Sequence, residues 1–261
     1  MSDLFFLGNE TSYLKIPNVD GFDFGTGDFT IEWYQYQTDN NPYSRIFQVG
    51  NHPEATIGVS IEPDTVEGQP VGEFYYWAID DTLRLVKNLT PSSYKNKWVH
   101  FAICRANDST TTPPTRRTTV YMDGTSIFSM EDNYNYNGTA DLIIGNESTP
   151  ANNTAFGGYI KYFSWVKGVA LYTANFTVPT GYPTLTNNYV LLLTASSFTG
   201  TLGSTVVNYN VLPPINAPNQ PSLRMLTPLF TNNAQVYYKP GSLAPGGVGS
   251  VRNSSTKARR T

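Results

Sequence analysis

The sequence has one cysteine, Cys104, among 261 residues. One thiol cannot close an internal disulfide, so packing alone must hold the core, and folding in a reducing compartment is expected. Long apolar runs are missing. The longest near the start is Leu4-Phe5-Phe6-Leu7, with no basic residues before it. Neither a signal peptide nor a membrane span is therefore expected. Runs of Ala, Leu, Glu and Lys are also absent, which argues against long helices. Acidic residues are absent from the whole second part. Residues 1–147 hold all 20 acids and nine Lys or Arg, a net −11, whereas residues 148–261 hold eight Lys or Arg and no acid, a net +8. A division this complete suggests that the two ends meet different surroundings.

What the sequence does have is turn residues and aromatics: 21 Gly, 18 Pro, 18 Tyr and 14 Phe. That composition favours strands and turns. Short runs of strand character recur about every ten residues: 13–16, 29–36, 45–49, 56–61, 73–79, 83–87, 98–105, 118–122, 126–130, 142–144 and 159–166. In the run 29–36, Phe29, Ile31 and Trp33 form one face, and Thr30, Glu32 and Tyr34 the other, the period of a half-buried strand. Asp123-Gly124 tolerates positive φ and predicts a tight hairpin. The run 159–166 is apolar on both faces, with Tyr159, Phe163 and Trp165 predicted to point one way and Ile160 and Tyr162 the other. Such a strand is covered on both sides, so it is expected centrally in a pair of packed sheets. Gly157-Gly158 leads into it and Gly168 ends it. Even spacing of short strands predicts an all-β sandwich or jelly roll.

From Val211 onward periodicity ends, and prolines fall at 213, 214, 218, 221, 228, 240 and 245. The expected organisation is a β-sandwich over 1–210 and an extended Pro/Gly-rich, basic arm over 211–261. Leu226, Phe230, Tyr237 and Tyr238 are too apolar for a plain linker and are expected to dock on a partner. Lys257, Arg259 and Arg260 are expected to meet acidic protein surface. Nucleic acid is not expected, because three charges neutralise few phosphates.

The runs Phe29-Thr30-Ile31-Glu32-Trp33, Trp98-Val99-His100-Phe101-Ala102, Val120-Tyr121-Met122-Asp123-Gly124, Leu142-Ile143-Ile144-Gly145 and Gly158-Tyr159-Ile160 occur in the order seen in laminin-G-like domains. Over roughly residues 5–195 the chain resembles those members of the concanavalin A-like lectin/glucanase superfamily. The segment from Lys167 to Pro179 looks like the closing segment of the phage and large-DNA-virus branch. The chain departs from that branch at Leu171, where an arginine is common, and at Trp165, where a smaller aliphatic is usual. The resemblance implies a two-sheet antiparallel jelly roll, with Trp98, Phe101 and Tyr121 in the core or between sheets.

The resemblance also frames the function. The superfamily's glucanases use a Glu-x-Asp-x-x-Glu strand, and no such pattern occurs here. Glu73 and Asp80-Asp81 are the nearest grouping, so no enzyme activity is expected. His100 and Cys104 share a strand face, but two ligands do not make a zinc site, and His52 precedes a proline. No cofactor is expected apart from calcium, which the family holds at a loop rim, with Asp23, Asp28, Asp80, Asp81 and Asp141 as loop carboxylates. Sugar binding needs aromatic rings to stack on a pyranose and amides to bond its hydroxyls. Tyr75 and Trp77 on one strand face, and the loop Tyr134, Asn135, Tyr136 and Asn137, have that composition. The tail resembles those of large-DNA-virus particle proteins. The leading expectation is therefore a non-enzymatic structural protein of a virion, a minor capsid or capsid-surface component assembled in the host cytoplasm. In it the jelly roll packs against other capsid or virion proteins and the arm clamps them. The alternative is a lectin-like module that binds host glycans.

Overall fold

The computed structural model describes residues 3–18, 22–51, 56–62, 72–78, 83–108, 110–112, 115–180, 186–194, 197–199, 206–209 and 236–238. Among these residues the protein is all-β, apart from one helical turn, α1 (Pro91–Tyr94). The strands are β1 (Leu4–Leu7), β2 (Tyr13–Ile16), β3 (Phe29–Gln37), β4 (Arg45–Val49), β5 (Ile57–Glu62), β6 (Gly72–Ala78), β7 (Leu83–Leu89), β8 (Trp98–Asp108), β9 (Thr115–Met122), β10 (Thr125–Glu131), β11 (Leu142–Ile144), β12 (Gly157–Lys167), β13 (Tyr189–Thr194), β14 (Ser197–Thr199), β15 (Val206–Tyr209) and β16 (Val236–Tyr238). They form two eight-stranded sheets. Sheet I runs β10-β9-β8-β3-β12-β13-β14, with β1 also on β12, and sheet II runs β16-β15-β2-β11-β4-β5-β6-β7. Every strand pairing is antiparallel. This is the expected jelly-roll sandwich.

Between the sheets lies one core. Phe29, Ile31, Trp33, Phe101, Phe163 and Trp165 from sheet I meet Phe47, Val59, Ile61, Phe74, Tyr76 and Ile144 from sheet II, all fully buried. Trp33 shows how tightly the layers interdigitate, stacking on Phe101 at 5.5 Å and meeting Phe47 of the other sheet edge-on at 5.7 Å. Its indole N–H needs a buried acceptor, and Gln35 Oε1 supplies one at 2.8 Å. Gln35 passes a bond to Gln37, and Gln37 donates to the Ile61 carbonyl in sheet II at 3.4 Å. The buried amides thus satisfy one another across the sandwich, as polar groups in a core must.

β12 is central, as expected, with β3 on one edge and β1 followed by β13 on the other. Its side-chain alternation differs from expectation. The register slips between Lys161 and Ser164, so Tyr162 and Phe163 together face Trp33 of β3, and Tyr162 takes φ 53°. This is a β-bulge, which inserts one residue and reverses the alternation beyond it. Ile160, Phe163 and Trp165 consequently share the core face, while Tyr159 faces outward. Strict period two had placed Ile160 opposite Phe163 and Trp165.

Other sequence signals hold. Asp123 and Gly124 turn the β9–β10 hairpin with φ 48° and 76°. A side chain at Gly124 would collide with the Phe176 carbonyl, so that position also needs glycine for space. β1 was not expected from the sequence, although Leu4 and Phe6 enter the core. Beyond the boundary expected after residue 210, β16 pairs with β15, and β15 pairs with β2. Tyr237 and Tyr238, expected as anchors on another chain, therefore sit on an edge strand of the protein's own sheet II. Leu226, Phe230, Lys257, Arg259 and Arg260 lie outside the described residues.

Candidate functional site

The outer face of sheet I is divided into two halves by what covers it. Over one half runs the segment 168–179. Leu171 N–H donates to Thr30 Oγ1 at 2.9 Å, and that hydroxyl donates to the Val169 carbonyl at 3.1 Å. Phe176 N–H reaches the Gly124 carbonyl at 2.9 Å, and Asn175 accepts from Ser126 N–H at 2.9 Å. Tyr172 and Phe176 stack on each other at 3.5 Å and close over Ala102, Cys104 and Tyr121. Beneath this strap Glu32 accepts from Tyr172 Oη at 2.9 Å and from Ser164 at 3.4 Å, and lies 3.2 Å from His100 Nε2. Burial, with Glu32 beside it, pushes the Tyr172 phenol well above its ordinary pKa. The thiol of Cys104 is likewise pushed up to about 12 by burial. Glu32 is thus committed to structural partners under a roof, with no room for a sugar.

The other half continues past the strap's end, where Tyr34 Oη meets the Pro179 carbonyl. Here the register aligns four aromatic residues on adjacent strands: Phe5 (β1) opposite Tyr159 (β12), Tyr159 opposite Tyr36 (β3), and Tyr36 opposite Trp98 (β8). Neighbouring ring centroids lie 4.8, 6.1 and 5.9 Å apart. Phe5, Tyr159 and Trp98 are half-buried and keep part of their surface in solvent, while Tyr36 is buried between them. Lys161 stands one row along and extends its ammonium over the Trp98 ring at 4.0 Å, with Tyr34 at 5.3 Å. Asp3, two residues before Phe5, falls on the same face because Leu4 between them points into the core. Burial raises the Asp3 carboxyl above its ordinary pKa, against the pull of Lys161. Burial lowers the Lys161 ammonium, against the pull of Asp3.

Sheet II offers an alternative. A cleft of about 670 Å3 is lined by Lys15, Asn51, Asp141, Ile143 and Ser148 among others. Its polar groups are already spent on one another: Lys15 pairs with Asp141 at 2.9 Å, and Ser148 bonds to Asn51. Burial alone would raise Asp141, but the Lys15 and Asn18 hydrogen bonds outweigh it and hold the carboxyl below the usual range.

Residues 7–171 match the model of the concanavalin A-like lectin/glucanases superfamily, well over half of the chain. The protein belongs to that superfamily. No curated protein matches it. Among solved structures it is similar to a carbohydrate-binding protein candidate from Bacteroides ovatus, at 14% identity and TM-score 0.49, with 81% of this chain and 60% of that one covered. It is also similar to domains LG4-5 of the mouse laminin α1 chain, at 13% identity and TM-score 0.42, covering 69% of this chain and 47% of that one. The carbohydrate-binding module CBM40 of the Ruminococcus gnavus IT-sialidase, bound to α2,3-sialyllactose, is similar at 12% identity and TM-score 0.39, with 57% and 79% covered. The chain thus spans less than two thirds of the first two.

Within this superfamily fold the residues expected to bind sugar are scattered. Trp77 and Tyr75 lie on the outer face of sheet II, 5.4 Å apart, but Trp77 is fully buried and Tyr75 nearly so. Trp77 lies against Gly58, where any side chain would collide with the indole, and the Arg45 guanidinium caps it at 4.6 Å. No ring face is left for a pyranose. Tyr136 is also fully buried, its hydroxyl bonded to Asp132 at 2.7 Å and Tyr76 at 2.9 Å. Tyr134, Asn135 and Asn137 are exposed, although the Tyr134 carbonyl is held by Arg105 at 2.8 Å. Of the loop carboxylates expected for calcium, Asp23 pairs with Lys167, Asp28 with Arg116 and Asp141 with Lys15. Among the described residues no three His, Cys, Asp or Glu side chains cluster as metal ligands. Asp80, Asp81 and His52 lie outside the described residues. No helix among those residues is long and apolar enough to cross a membrane.

Sequence reasoning passed over Phe5, Tyr36, Trp98, Tyr159, Lys161 and Asp3 as a set. Their signal was present, since each outer position alternates with a core residue. Four strands far apart in sequence supply them, and only the register brings them into one row.

Proposed function

We propose that the protein is a non-catalytic carbohydrate-binding module whose ligand lies along the row Phe5–Tyr159–Tyr36–Trp98. The observation that carries this reading is the row itself: aromatic rings on four adjacent strands, partly open to solvent, beside a cation and a carboxylate. Aromatic side chains are normally spent in cores, and a contiguous group of them partly open to solvent marks an interaction surface. Sugar rings present axial C–H faces that pack on such rings, and their hydroxyls need polar groups at the edge.

Membership of a superfamily of lectins and glucanases agrees with a sugar ligand, and the strapped, fully bonded state of Glu32 favours binding over hydrolysis. If the protein sits on a virus particle, as its tail suggests, host-surface glycans are the natural ligands. The capsid-clamp reading draws on residues 211–261, and of these Val236–Tyr238 pair within the protein's own sheet.

A glycan array probed with the wild-type chain and with Trp98→Ala and Tyr159→Ala tests the proposal. The wild type should bind, and each variant should lose at least about tenfold in affinity, or 1.4 kcal/mol. Binding unaffected by both substitutions would move the site elsewhere, and release of reducing sugar from the bound glycans would replace binding by catalysis.

A further inference from the structure

Asp3 and Lys161 flank the aromatic row and are unusual in what they do not bond. Asp3 is 4% exposed, and its Oδ1 is covered without a hydrogen-bond partner. A buried carboxylate oxygen in that state is costly, and the structure gives it no donor from the fold. Lys161 is half-buried, and the groups within reach of its ammonium are the faces of Trp98, Tyr34 and Tyr162, at 4.0, 5.3 and 5.8 Å. Among the described residues it has no carboxylate at ion-pair distance, although Asp3 is near enough to feel its charge. Elsewhere the protein pairs its partly buried charges directly, as with Lys167 and Asp23 at 2.9 Å or Arg45 and Glu62 at 3.7 Å. Beside the aromatic row it leaves an acceptor and a donor separated.

We infer that this pair selects a neutral sugar with adjacent hydroxyls, and excludes sugars that carry a carboxylate. The inference rests on the glycan-binding reading above. One sugar hydroxyl donates to Asp3 and its neighbour accepts from Lys161, while the pyranose face packs on Tyr159 and on the part of the half-buried Trp98 ring that the Lys161 ammonium leaves open. A hydroxyl can both donate and accept, so a vicinal pair matches one carboxylate and one ammonium, and the site gains no net charge on binding. A sialic or uronic acid would bring its carboxylate close to Lys161, but also beside Asp3 in a poorly solvated place, where like charges repel strongly. The aromatic row supplies the shared stacking energy, and the charge pair supplies the discrimination.

Titration calorimetry separates the outcomes, with lactose and cellotetraose as neutral probes, and 3′-sialyllactose and tetragalacturonate as acidic ones. The full chain, Asp3→Asn, Lys161→Met and Trp98→Ala are compared after thermal melts confirm folding. The inference predicts that at least one neutral probe binds ten times or more tightly than both acidic ones. Asp3→Asn should weaken the neutral probe at least threefold and narrow its advantage over the acidic probes. Lys161→Met should weaken the neutral probe at least threefold. Trp98→Ala should abolish measurable binding of every probe. A preference for 3′-sialyllactose or tetragalacturonate that Lys161→Met removes would overturn the selectivity while leaving the glycan site in place. A neutral preference that neither Asp3→Asn nor Lys161→Met changes would also overturn it. If all four probes fail and a broad array also shows no binding, the glycan-binding reading itself falls, and this inference with it.

Discussion

Arg105 is the most heavily committed charged side chain in the sandwich, and replacing it should be among the most damaging single changes. It is fully buried. Its guanidinium donates to the Gly27 carbonyl from Nε at 2.9 Å, to the Tyr134 carbonyl from Nη1 at 2.8 Å and to the Gly25 carbonyl from Nη2 at 2.9 Å. Nη1 also lies 3.5 Å from the equally buried Asp132, and the cation covers the rings of Tyr136 at 4.6 Å and Phe29 at 5.1 Å. One side chain therefore ties the loop before β3 to the loop after β10. Arg105→Met keeps much of the volume but leaves buried Asp132 without its cation and the Gly27 and Tyr134 carbonyls without their donor, while the Gly25 carbonyl keeps Tyr136 N–H at 2.9 Å. Breaking a buried pair from one side costs about 3–5 kcal/mol. With a urea slope of roughly 1–3 kcal/mol/M, the unfolding midpoint should fall by at least ~1 M. Arg105→Lys keeps the charge but cannot reach three carbonyls with one amine, so it should fall between the wild type and Arg105→Met. Arg105→Met/Asp132→Asn removes both charges and should cost less than the sum of its single changes. Equilibrium urea unfolding followed by circular dichroism measures all four. A midpoint shift for Arg105→Met worth less than ~1 kcal/mol, or strict additivity in the double variant, would refute the reasoning.

Trp33→Ala empties the centre of the core and should cost roughly 3–5 kcal/mol by the same assay, whereas a cost below ~1 kcal/mol would show that Trp33 does not bridge the sheets. Tyr172→Phe removes the phenol that donates to buried Glu32 and should cost about 1.5–3 kcal/mol, the range for a hydrogen bond to a charged group, with faster proteolysis of segment 168–179. Alkaline pH should weaken the fold. Burial holds the Cys104 thiol and the Tyr34 and Tyr189 phenols up to about 12, above their ordinary values of 9.0 for the thiol and 10.0 for Tyr34. The folded chain therefore binds more protons than the unfolded one between those limits, and stability present below pH ~9 is lost as pH rises through them. Chemical unfolding at pH 8 to 11 should show that decline, and Cys104 should resist iodoacetamide until the protein unfolds.

The sequence was most legible where one residue's pattern sufficed. Phe29, Ile31 and Trp33 alternate with polar neighbours, so the inner face of β3 could be read directly, and Asp123-Gly124 announced its hairpin by backbone chemistry. The bulge at Tyr162 left no such trace. Nothing in Tyr-Ile-Lys-Tyr-Phe-Ser-Trp says that two residues will face one, so the face assignment failed beyond it. Composition misled at Tyr75, Trp77 and Tyr136, because a tyrosine suited to a sugar is equally suited to a core if its hydroxyl finds Asp132 or Tyr76. The row of Phe5, Tyr159, Tyr36 and Trp98 is the reverse case. Its members come from strands up to about 150 residues apart, and only hydrogen-bond register makes them neighbours. The composition of the tail's apolar residues suits anchors for a partner, and pattern alone does not announce that Tyr237 and Tyr238 lie in a strand paired with β15.

The tryptophans provide the most direct test of the binding face. Of the four, Trp33, Trp77 and Trp165 are fully buried, and Trp98 alone reaches the surface, within the proposed row. In a 15N-edited spectrum of the indole N–H groups, titration with a glycan selected on an array should move the Trp98 resonance and leave the other three nearly in place. Displacement of the Trp77 resonance instead would put the ligand on sheet II, and saturable binding with all four indoles unmoved would contradict the aromatic row as the site.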